Sequence, residues 1–164
     1  MTEKPKRHVH LFISYSRDDG QIILPIVQLL RVTESKVFLD VDSIAPGERW
    51  QEQLEVALAR ADKVCVFWCL HSRTSEWVER EWRFALRENK KIIPLLLDST
   101  PLALELSEYQ YIDFTKFVEG SLHPTKDGYY YPSAPPPPGY SEEEEYNLLA
   151  NHVVKELIPI IEAD

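Results

Sequence analysis

The stretch KVCVFWCL, residues 63–70, is an almost continuous run of apolar side chains. A strand with one solvated face alternates apolar and polar residues, whereas a strand covered on both faces is apolar nearly throughout. Residues 63–70 therefore predict a central strand of a parallel sheet, and such a sheet carries helices on both of its faces.

Strands and helices alternate on either side of this stretch. Four further segments have strand character, and three have helical periodicity. The strands are 8–16, 36–40, 91–98 and a weaker one at 109–114, and the helices are 21–32, a segment from Trp50 to Ala61, and 75–89. Ser75 is well placed to cap the last of these helices. The alternation predicts an α/β fold with a five-stranded parallel sheet in the flavodoxin-like strand order.

The composition is that of one folded domain. The chain has 164 residues, of which 44% are hydrophobic and 27% charged, as is usual for a single globular domain. The net charge of −9 argues against a nucleic-acid-binding surface. The apolar runs are far shorter than the roughly 20 residues of a membrane span, and the charged start lacks the apolar segment of a secretory signal. We therefore expect a cytoplasmic protein that binds neither nucleic acid nor membranes, with Cys65 and Cys69 as buried, reduced thiols.

The chain divides into a short extension and one domain. We expect an N-terminal extension at 1–7 and a domain at 8–162, which comprises a core at 8–115, a Pro/Tyr-rich insertion at about 120–140 and a C-terminal helix at 141–162. Four consecutive prolines at 135–138 favour a polyproline II spacer within a loop. A proline-rich ligand for a partner domain is the alternative interpretation of this segment.

Polar side chains collect where the predicted strands end, which is the edge at which open parallel sheets bind ligands. Residues 14–19 follow the first strand, Asp40 and Asp42 follow the second, and His71 and Ser72 follow the third. Asp40 and Asp42 have no convergent third ligand, and the two cysteines lack the spacing of a zinc site. We therefore expect no metal site at this edge.

Several common chemistries have no motif in the sequence. It contains neither GxGxxG nor GxxxxGK[ST], the glycine loops that bind phosphate, and no GxSxG nucleophile turn. A phosphoacceptor receiver domain has a related sheet, but it needs an aspartate at the end of the third strand, where this chain has WCLH. The helix after the third strand is then the most informative place for chemistry.

Glu81 is the unusual residue of the predicted helix 75–89. At about 100° per residue, most charged side chains of this helix share one stripe, which comprises Glu76, Glu79, Arg80, Arg83 and Arg87. Glu81 instead lies beside Trp77 and near Phe84, and positions i±4 offer it no salt bridge. Core packing of Trp77 and a surface ion pair of Glu81 are the purely structural alternatives.

Three segments, in order, resemble the sequence boxes of Toll/interleukin-1 receptor (TIR) domains. They are LFISYSRDD at 11–19, VFLDVDSIAPGERW at 37–50 and SRTSEWVEREW at 72–82, followed by KKIIPLLL. The resemblance covers residues 8 to about 115. It implies a five-stranded parallel sheet with helices on both faces and an interaction loop after the second strand. TIR domains form two functional classes, enzymes that cleave nicotinamide from NAD+ and adaptors that act only by TIR–TIR assembly.

The resemblance also implies roles for individual residues. The enzymes carry a glutamate early in the helix after the third strand, with a tryptophan four residues before it in many members. Here these residues are Glu81, as the catalytic residue, and Trp77. The implied substrate-binding residues are Trp77, Phe12, Ser14, Tyr15, Arg17, Asp42 and Ser72, and the implied assembly loop is Ser43, Ile44, Ala45, Pro46, Gly47 and Glu48. Arg17 is the candidate contact for the pyrophosphate.

A single carboxylate is sufficient for this chemistry. Nicotinamide leaves NAD+ as a neutral molecule, so the general acid that other glycosidases need has no task here. An anion at Glu81 would stabilise the cationic ribose of the transition state more than the ground state, and Trp77 would stack on the cationic nicotinamide ring.

The sequence thus predicts an NAD+ glycohydrolase or ADP-ribosyl cyclase of the bacterial immune-system type. Its product would be ADP-ribose or a cyclic ADP-ribose isomer, made in anti-phage signalling. NAD+ would be its substrate, and no further cofactor is expected. Activity would require self-association through the assembly loop, and a sensor or effector protein could act before or after it. The alternative is a non-catalytic TIR adaptor.

Overall fold

Five parallel strands form the main sheet. The computed structural model describes residues 9–31, 36–39, 47, 49–115, 123–125, 128–130 and 152–163. The strands are β1 (His10–Ser14), β2 (Lys36–Leu39), β3 (Lys63–Trp68), β4 (Lys91–Leu96) and β5 (Ile112–Asp113). They lie in the order β2-β1-β3-β4-β5, and every neighbouring pair is parallel. The predicted flavodoxin-like α/β fold is therefore confirmed.

The central strand is β3, which pairs with β1 on one side and β4 on the other. All six of its residues are buried, as its apolar run predicts. Side chains that alternate along β3 enter two different cores, with Cys65 and Phe67 on one face and Val64 and Val66 on the other. The sheet is therefore covered on both faces.

Helices cover both faces of the sheet. They are α1 (Gly20–Arg31), α2 (Trp50–Arg60), a short α3 (Leu70–Arg73), α4 (Glu76–Arg87) and α5 (Ile158–Glu162), and α5 directly follows a π-helical segment, Val153–Leu157. Residues of α1 and of the C-terminal helical segment pack in one core, and residues of α2 and α4 pack in the other. No helix in the described part of the chain is long and apolar enough to cross a membrane.

The start of α4 is fixed by its predicted cap. The side chain of Ser75 accepts a hydrogen bond from the backbone N–H of Val78 at 3.2 Å. Such a bond satisfies one of the N–H groups that the first turn of a helix leaves without a partner. Because α4 begins at Glu76, every residue of this helix has a defined direction relative to the sheet, including Glu81.

Four strands, β1, β3, β4 and β5, are shorter than the sequence predicts. β3 ends at Trp68 because the next residue, Cys69, caps α3, its sulfur accepting from the N–H of Ser72. β5 contains only Ile112 and Asp113, since the chain before it forms a 3-10 turn at Leu104–Leu106 and a further turn closed by Tyr109.

The predicted insertion and termini are described in part. Within the insertion, His123–Thr125 and Gly128–Tyr130 pair as a short antiparallel hairpin, β6 and β7, which the sequence did not predict. The C-terminal helix is described from residue 152 onward. The extension 1–7, the prolines at 135–138 and the predicted helix start at 141 lie outside the described residues, so the domain boundaries stay predictions.

Candidate active site

Glu81 of α4 lies against the carboxyl end of β1. The hydroxyl of Ser14, the last residue of β1, donates a 2.9 Å hydrogen bond to Oε1 of Glu81. Both side chains are buried, and the two residues are 67 positions apart in the sequence. The bond places the carboxylate at the ligand-binding edge of the sheet.

The two neighbouring glutamates of α4 have opposite environments. Glu81 is only 1% exposed, whereas the side chain of Glu79 is 46% exposed and forms an ion pair with Arg83 at 2.9 Å. Helical periodicity predicts this difference in exposure, because it places Glu79 on the charged stripe and Glu81 beside Trp77. Burial of a carboxylate is costly unless nearby groups compensate for lost water, so Glu81 is the residue of α4 whose position most needs a reason.

A cleft of about 660 Å³ lies between α2 and α4. Its walls combine apolar, acidic and basic side chains from the two helices. They are Gln51, Leu54, Glu55 and Leu58 of α2 with Trp77, Arg80, Glu81, Arg83, Phe84, Leu86 and Arg87 of α4. Trp77 and Glu81 lie one helical turn apart, so the aromatic ring and the carboxylate predicted to act together share one cavity.

The arginines of the cleft were not predicted as functional residues. Arg80, Arg83 and Arg87 belong to the charged stripe of α4, which by periodicity alone is a solvated face. In the structure, α2 packs beside α4 and turns part of that stripe into a wall of the cleft. Arg83 is engaged by Glu79 and by Glu105 at 3.4 Å, and this pairing raises its pKa. No local signal in the sequence marks these arginines, because only the fold, in which α2 and α4 cover the same face of the sheet, brings them to the cleft.

Three other predicted substrate-binding residues are buried and do not line this cleft. Phe12 is fully buried and stacks on Phe38, with ring centroids 5.3 Å apart. Tyr15 is buried in the core on the opposite face of the sheet. Ser72 is buried, and its hydroxyl donates to the carbonyl of Phe67 at 2.5 Å. These residues build the frame of the site, and their contact with a substrate stays a prediction.

Of the remaining predicted site residues, the structure describes only Arg17 and Gly47. Arg17 is exposed at the start of a 3-10 turn, Arg17–Asp19, which follows β1. Asp42, Ser43, Ile44, Ala45, Pro46 and Glu48 lie outside the described residues. Gly47 of the predicted assembly loop has a φ of 90°, a left-handed conformation that L side chains rarely adopt. A glycine at this position therefore suits the backbone of the loop.

A second polar group occupies the same edge of the sheet. Asp19 accepts a hydrogen bond from the thiol of Cys69 at 2.6 Å, and its other oxygen lies 2.9 Å from Nδ1 of His71. We call these three residues the Asp19–Cys69–His71 cluster. Burial and the neighbouring Asp19 raise the pKa of Cys69 to about 12, so its thiol is protonated at neutral pH and is not an activated nucleophile.

Comparison with known proteins identifies the family. The family model of the TIR domain matches residues 11–123, which is more than half of the chain. The chain belongs to the TIR domain family. The resemblance noted in the three sequence boxes is thus confirmed.

Two solved structures resemble this chain to different degrees. The TIR domain of the Toll-related receptor TRR-2 from Hydra magnipapillata is 19% identical, with a TM-score of 0.58 over 68% of this chain and 89% of that one. The CMP N-glycosidase BcmB from Clostridium botulinum is 19% identical, with a TM-score of 0.48 over 63% of this chain and 87% of that one. No curated protein sequence matches significantly. At this identity the similarity to the Hydra domain shows a shared fold.

Proposed function

We propose that this TIR domain is an enzyme that cleaves the bond between nicotinamide and ribose in NAD+, with ADP-ribose or a cyclic ADP-ribose isomer as the product. The observation that carries the proposal is the position of Glu81. Its carboxylate is buried at the carboxyl edge of the sheet, is held by Ser14, and lines a cleft that also contains Trp77.

Glu81 would act on the charge that develops in the reaction. As the bond to nicotinamide breaks, positive charge grows on the ribose, and an oriented carboxylate in a low-dielectric site stabilises that charge. The hydrogen bond from Ser14 fixes the orientation of Glu81 before the substrate binds. Nicotinamide leaves as a neutral molecule, so no second carboxylate is required as a general acid.

The rest of the cleft suits the other parts of NAD+. Trp77 offers an aromatic face for the cationic nicotinamide ring. Arg80 and Arg87 add positive charge along the same wall and would bind the pyrophosphate, a role that the sequence assigned to Arg17. From Trp77 to Arg87 the helix extends about 15 Å, which is enough for the ring, the ribose and the diphosphate to lie along α4.

The setting of the enzyme is part of the proposal. We infer a cytoplasmic protein of the bacterial immune-system type, whose activity depends on self-association. The assembly loop, from Ser43 to Glu48, would complete the cleft of a neighbouring copy, and Asp42 would reach the substrate there. A sensor that promotes assembly, or an effector that binds the product, would be the further partner.

One observation favours a non-catalytic adaptor instead. Glu81 is only 1% exposed, so its carboxylate reaches a ribose only after a local movement of the cleft walls. If no such movement occurs, Glu81 is a structural residue and the domain acts through TIR–TIR assembly alone. Assays of NAD+ cleavage distinguish the two functions directly.

The test is product analysis over a range of protein concentrations. Wild-type protein is incubated with NAD+, and nicotinamide, ADP-ribose and cyclic isomers are resolved by chromatography and mass spectrometry. We expect nicotinamide release per protein molecule to rise with concentration. Intact NAD+ at the highest concentration, with assembly verified by light scattering, would establish the adaptor function.

Two substitutions, two residues apart and on different faces of α4, locate the site. Glu81→Gln keeps the size of the side chain and removes its charge, and Glu79→Gln does the same on the exposed surface of α4. We expect Glu81→Gln to abolish most cleavage and Glu79→Gln to retain it. Equal activity of the two variants would leave the enzyme class intact but would contradict the assignment of Glu81.

A further inference from the structure

The Asp19–Cys69–His71 cluster has the composition of a metal-binding site. The possible ligand atoms are a carboxylate oxygen, a thiol sulfur and an imidazole Nδ1, and they all lie within 4.8 Å of one another. Two separate parts of the chain supply them, the 3-10 turn after β1 and the connection between β3 and α4. Asp19 and Cys69 are 50 positions apart, which explains why ligand spacing in the sequence gave no indication of this site.

We propose that the Asp19–Cys69–His71 cluster binds one Zn²⁺ ion. A thiolate and an imidazole together select against Mg²⁺ and Ca²⁺, which prefer oxygen ligands, and a mixed nitrogen, oxygen and sulfur set suits Zn²⁺. On binding, the thiol of Cys69 loses its proton to the solvent, and the sulfur, one oxygen of Asp19 and Nδ1 of His71 become the ligands.

The geometry needs only a small adjustment. In the structure the Cys69 sulfur lies 2.6 Å from Asp19 Oδ2, and His71 Nδ1 lies 2.9 Å from Asp19 Oδ1. Around a tetrahedral Zn²⁺, such ligand atoms lie roughly 3.3 to 3.6 Å apart, given the usual bond lengths. These two pairs must therefore separate by about 1 Å or less. The sulfur and Nδ1, which lie within 4.8 Å of each other, must reach a similar separation, and side-chain rotations can provide both changes.

One contact of Cys69 suits a metal-bound thiolate. The backbone N–H of Ser72 points at the Cys69 sulfur at 3.4 Å, and such a donor stabilises a metal thiolate from outside the ligand set. The hydroxyl of Ser72 donates to the carbonyl of Phe67, which holds this N–H in place. This contact gives the sulfur one donor that would remain when the thiol loses its proton to a bound metal.

An ion can reach the site from one side. The side chain of Asp19 is 4% exposed, whereas that of His71 is 21% exposed. His71 therefore forms the entrance, and a fourth coordination position on that side would accept water or another ligand. Three protein ligands with one open position are typical of accessible zinc sites, whereas closed structural sites use four.

Zinc binding would connect two segments of the chain at the edge of the sheet. The ion would join the turn after β1 to α3, which directly precedes Ser75, the cap of α4. Zinc binding is thus expected to stabilise the edge that carries Ser14 and Glu81, without contact with either. The proposal does not depend on NAD+ cleavage, and its test requires no enzymatic activity.

Cobalt spectroscopy tests the ligands directly. The full-length protein, without a polyhistidine tag, is freed of metal, reduced and titrated with Co²⁺, whose bond to a thiolate gives a charge-transfer band in the near ultraviolet. We expect one Co²⁺ per chain and displacement by one Zn²⁺. Cys69→Ser should remove the band, and Cys65→Ser, which changes the other buried thiol, should keep it.

A second variant distinguishes the loss of a metal ligand from the loss of the fold. His71 is partly exposed, so His71→Gln should leave the fold intact by circular dichroism and weaken Zn²⁺ binding at least roughly tenfold, as measured by competition with a chromophoric chelator. Saturating Zn²⁺ should raise the melting temperature of the wild type by roughly 5 °C. A protein with no cobalt–thiolate band, or with equal zinc affinity in folded His71→Gln, would show that the cluster is only a hydrogen-bonded link between two loops.

Discussion

Lys63 and Glu81 are both buried charged residues, and they lie at opposite ends of the sheet. Lys63 begins β3, and its ammonium group donates to the carbonyl oxygens of Ile160 at 2.7 Å, Ile161 at 2.6 Å and Ala163. Ile160 and Ile161 belong to the last turn of the C-terminal helix and Ala163 follows it, where carbonyl groups lack partners within the helix. An ammonium group has three N–H donors, so each of them has a backbone acceptor at this end of the chain.

Glu81, at the carboxyl end, is held in a different way. A side-chain hydroxyl, that of Ser14, donates to it, and the carboxylate lines a cleft with an aromatic ring and arginines. The comparison separates two uses of a buried charge. The amino end of the sheet uses its charge to fasten a helix, whereas the carboxyl end positions its charge beside a cavity that can bind a ligand.

The free energy of unfolding should depend more on the charge of Lys63, at the amino end of the sheet, than on the charge of Glu81. Lys63→Met keeps most of the side-chain volume but leaves the carbonyls of the last helix without their donor. We expect a loss of about 3 kcal/mol in the free energy of unfolding, measured by urea denaturation. The control is Lys91→Met, because Lys91 is the exposed neighbour of Lys63 in the sheet and should change stability by less than about 0.5 kcal/mol. Equal losses of stability in the two variants would show that Lys63 has no special role.

Cys65, buried in β3 between the two ends, makes the stability depend on alkaline pH. Burial raises the pKa of this thiol from 9.0 to about 12. The buried neutral thiol therefore contributes fully to the free energy of unfolding below pH 9. This contribution is lost as the pH rises toward 12, because the thiol of the unfolded chain loses its proton at a lower pH than that of the folded chain. Each pH unit in this window should cost about 1.4 kcal/mol. Cys69 has a similarly raised pKa and its loss occurs in both proteins, so from pH 8 to pH 10 Cys65→Val should lose about 1.4 kcal/mol less stability than the wild type. Identical pH dependence would contradict this expectation.

Trp77 supplies the aromatic ring of the cleft that also contains Glu81. Trp77→Ala removes the aromatic face from the cleft, and we expect kcat/KM for NAD+ to fall about tenfold. Trp77→Phe, which keeps a ring, should recover part of that loss. If the alanine variant lost stability but not activity, Trp77 would be a packing residue of α4.

Ser14 should show the smallest effect. Ser14→Ala removes the donor to Glu81 and frees the orientation of the carboxylate. We expect a loss of about 1 kcal/mol in stability and a several-fold fall in kcat. Ser14→Thr retains the hydroxyl and provides the matched control. Unchanged kcat in the alanine variant would mean that Glu81 needs no positioning by β1.

The features that could be predicted from the sequence are those set by neighbouring residues. The apolar run at 63–70 predicted the central strand, Ser75 predicted the start of α4, and helical periodicity separated Glu81 from Glu79. Each depends on interactions within a few positions of the chain. The end of β3 was wrong by two residues, because the capping bond between Cys69 and Ser72 was stronger than the strand preference of the apolar run.

The features that could not be predicted depend on contacts between distant segments. His71 and Asp19 are 52 positions apart, and only the pairing of β1 with β3 brings them together. The arginines of α4 became part of a cleft because α2 packs next to them. Phe12, predicted to contact substrate, is covered by Phe38 of the adjacent strand. Such positions follow from the fold and have no local signal.

On the proposed function, Glu81 is buried for its chemical role and not for stability. NAD+ cleavage and the melting temperature of Glu81→Gln, measured in the same preparation, separate these two roles. Glutamine retains the volume and an oxygen that accepts from Ser14, so we predict a melting temperature within about 3 °C of the wild type. Cleavage should fall roughly 100- to 1,000-fold. A variant that cleaves NAD+ at the wild-type rate, or one that unfolds while Lys63→Met remains stable, would contradict the account.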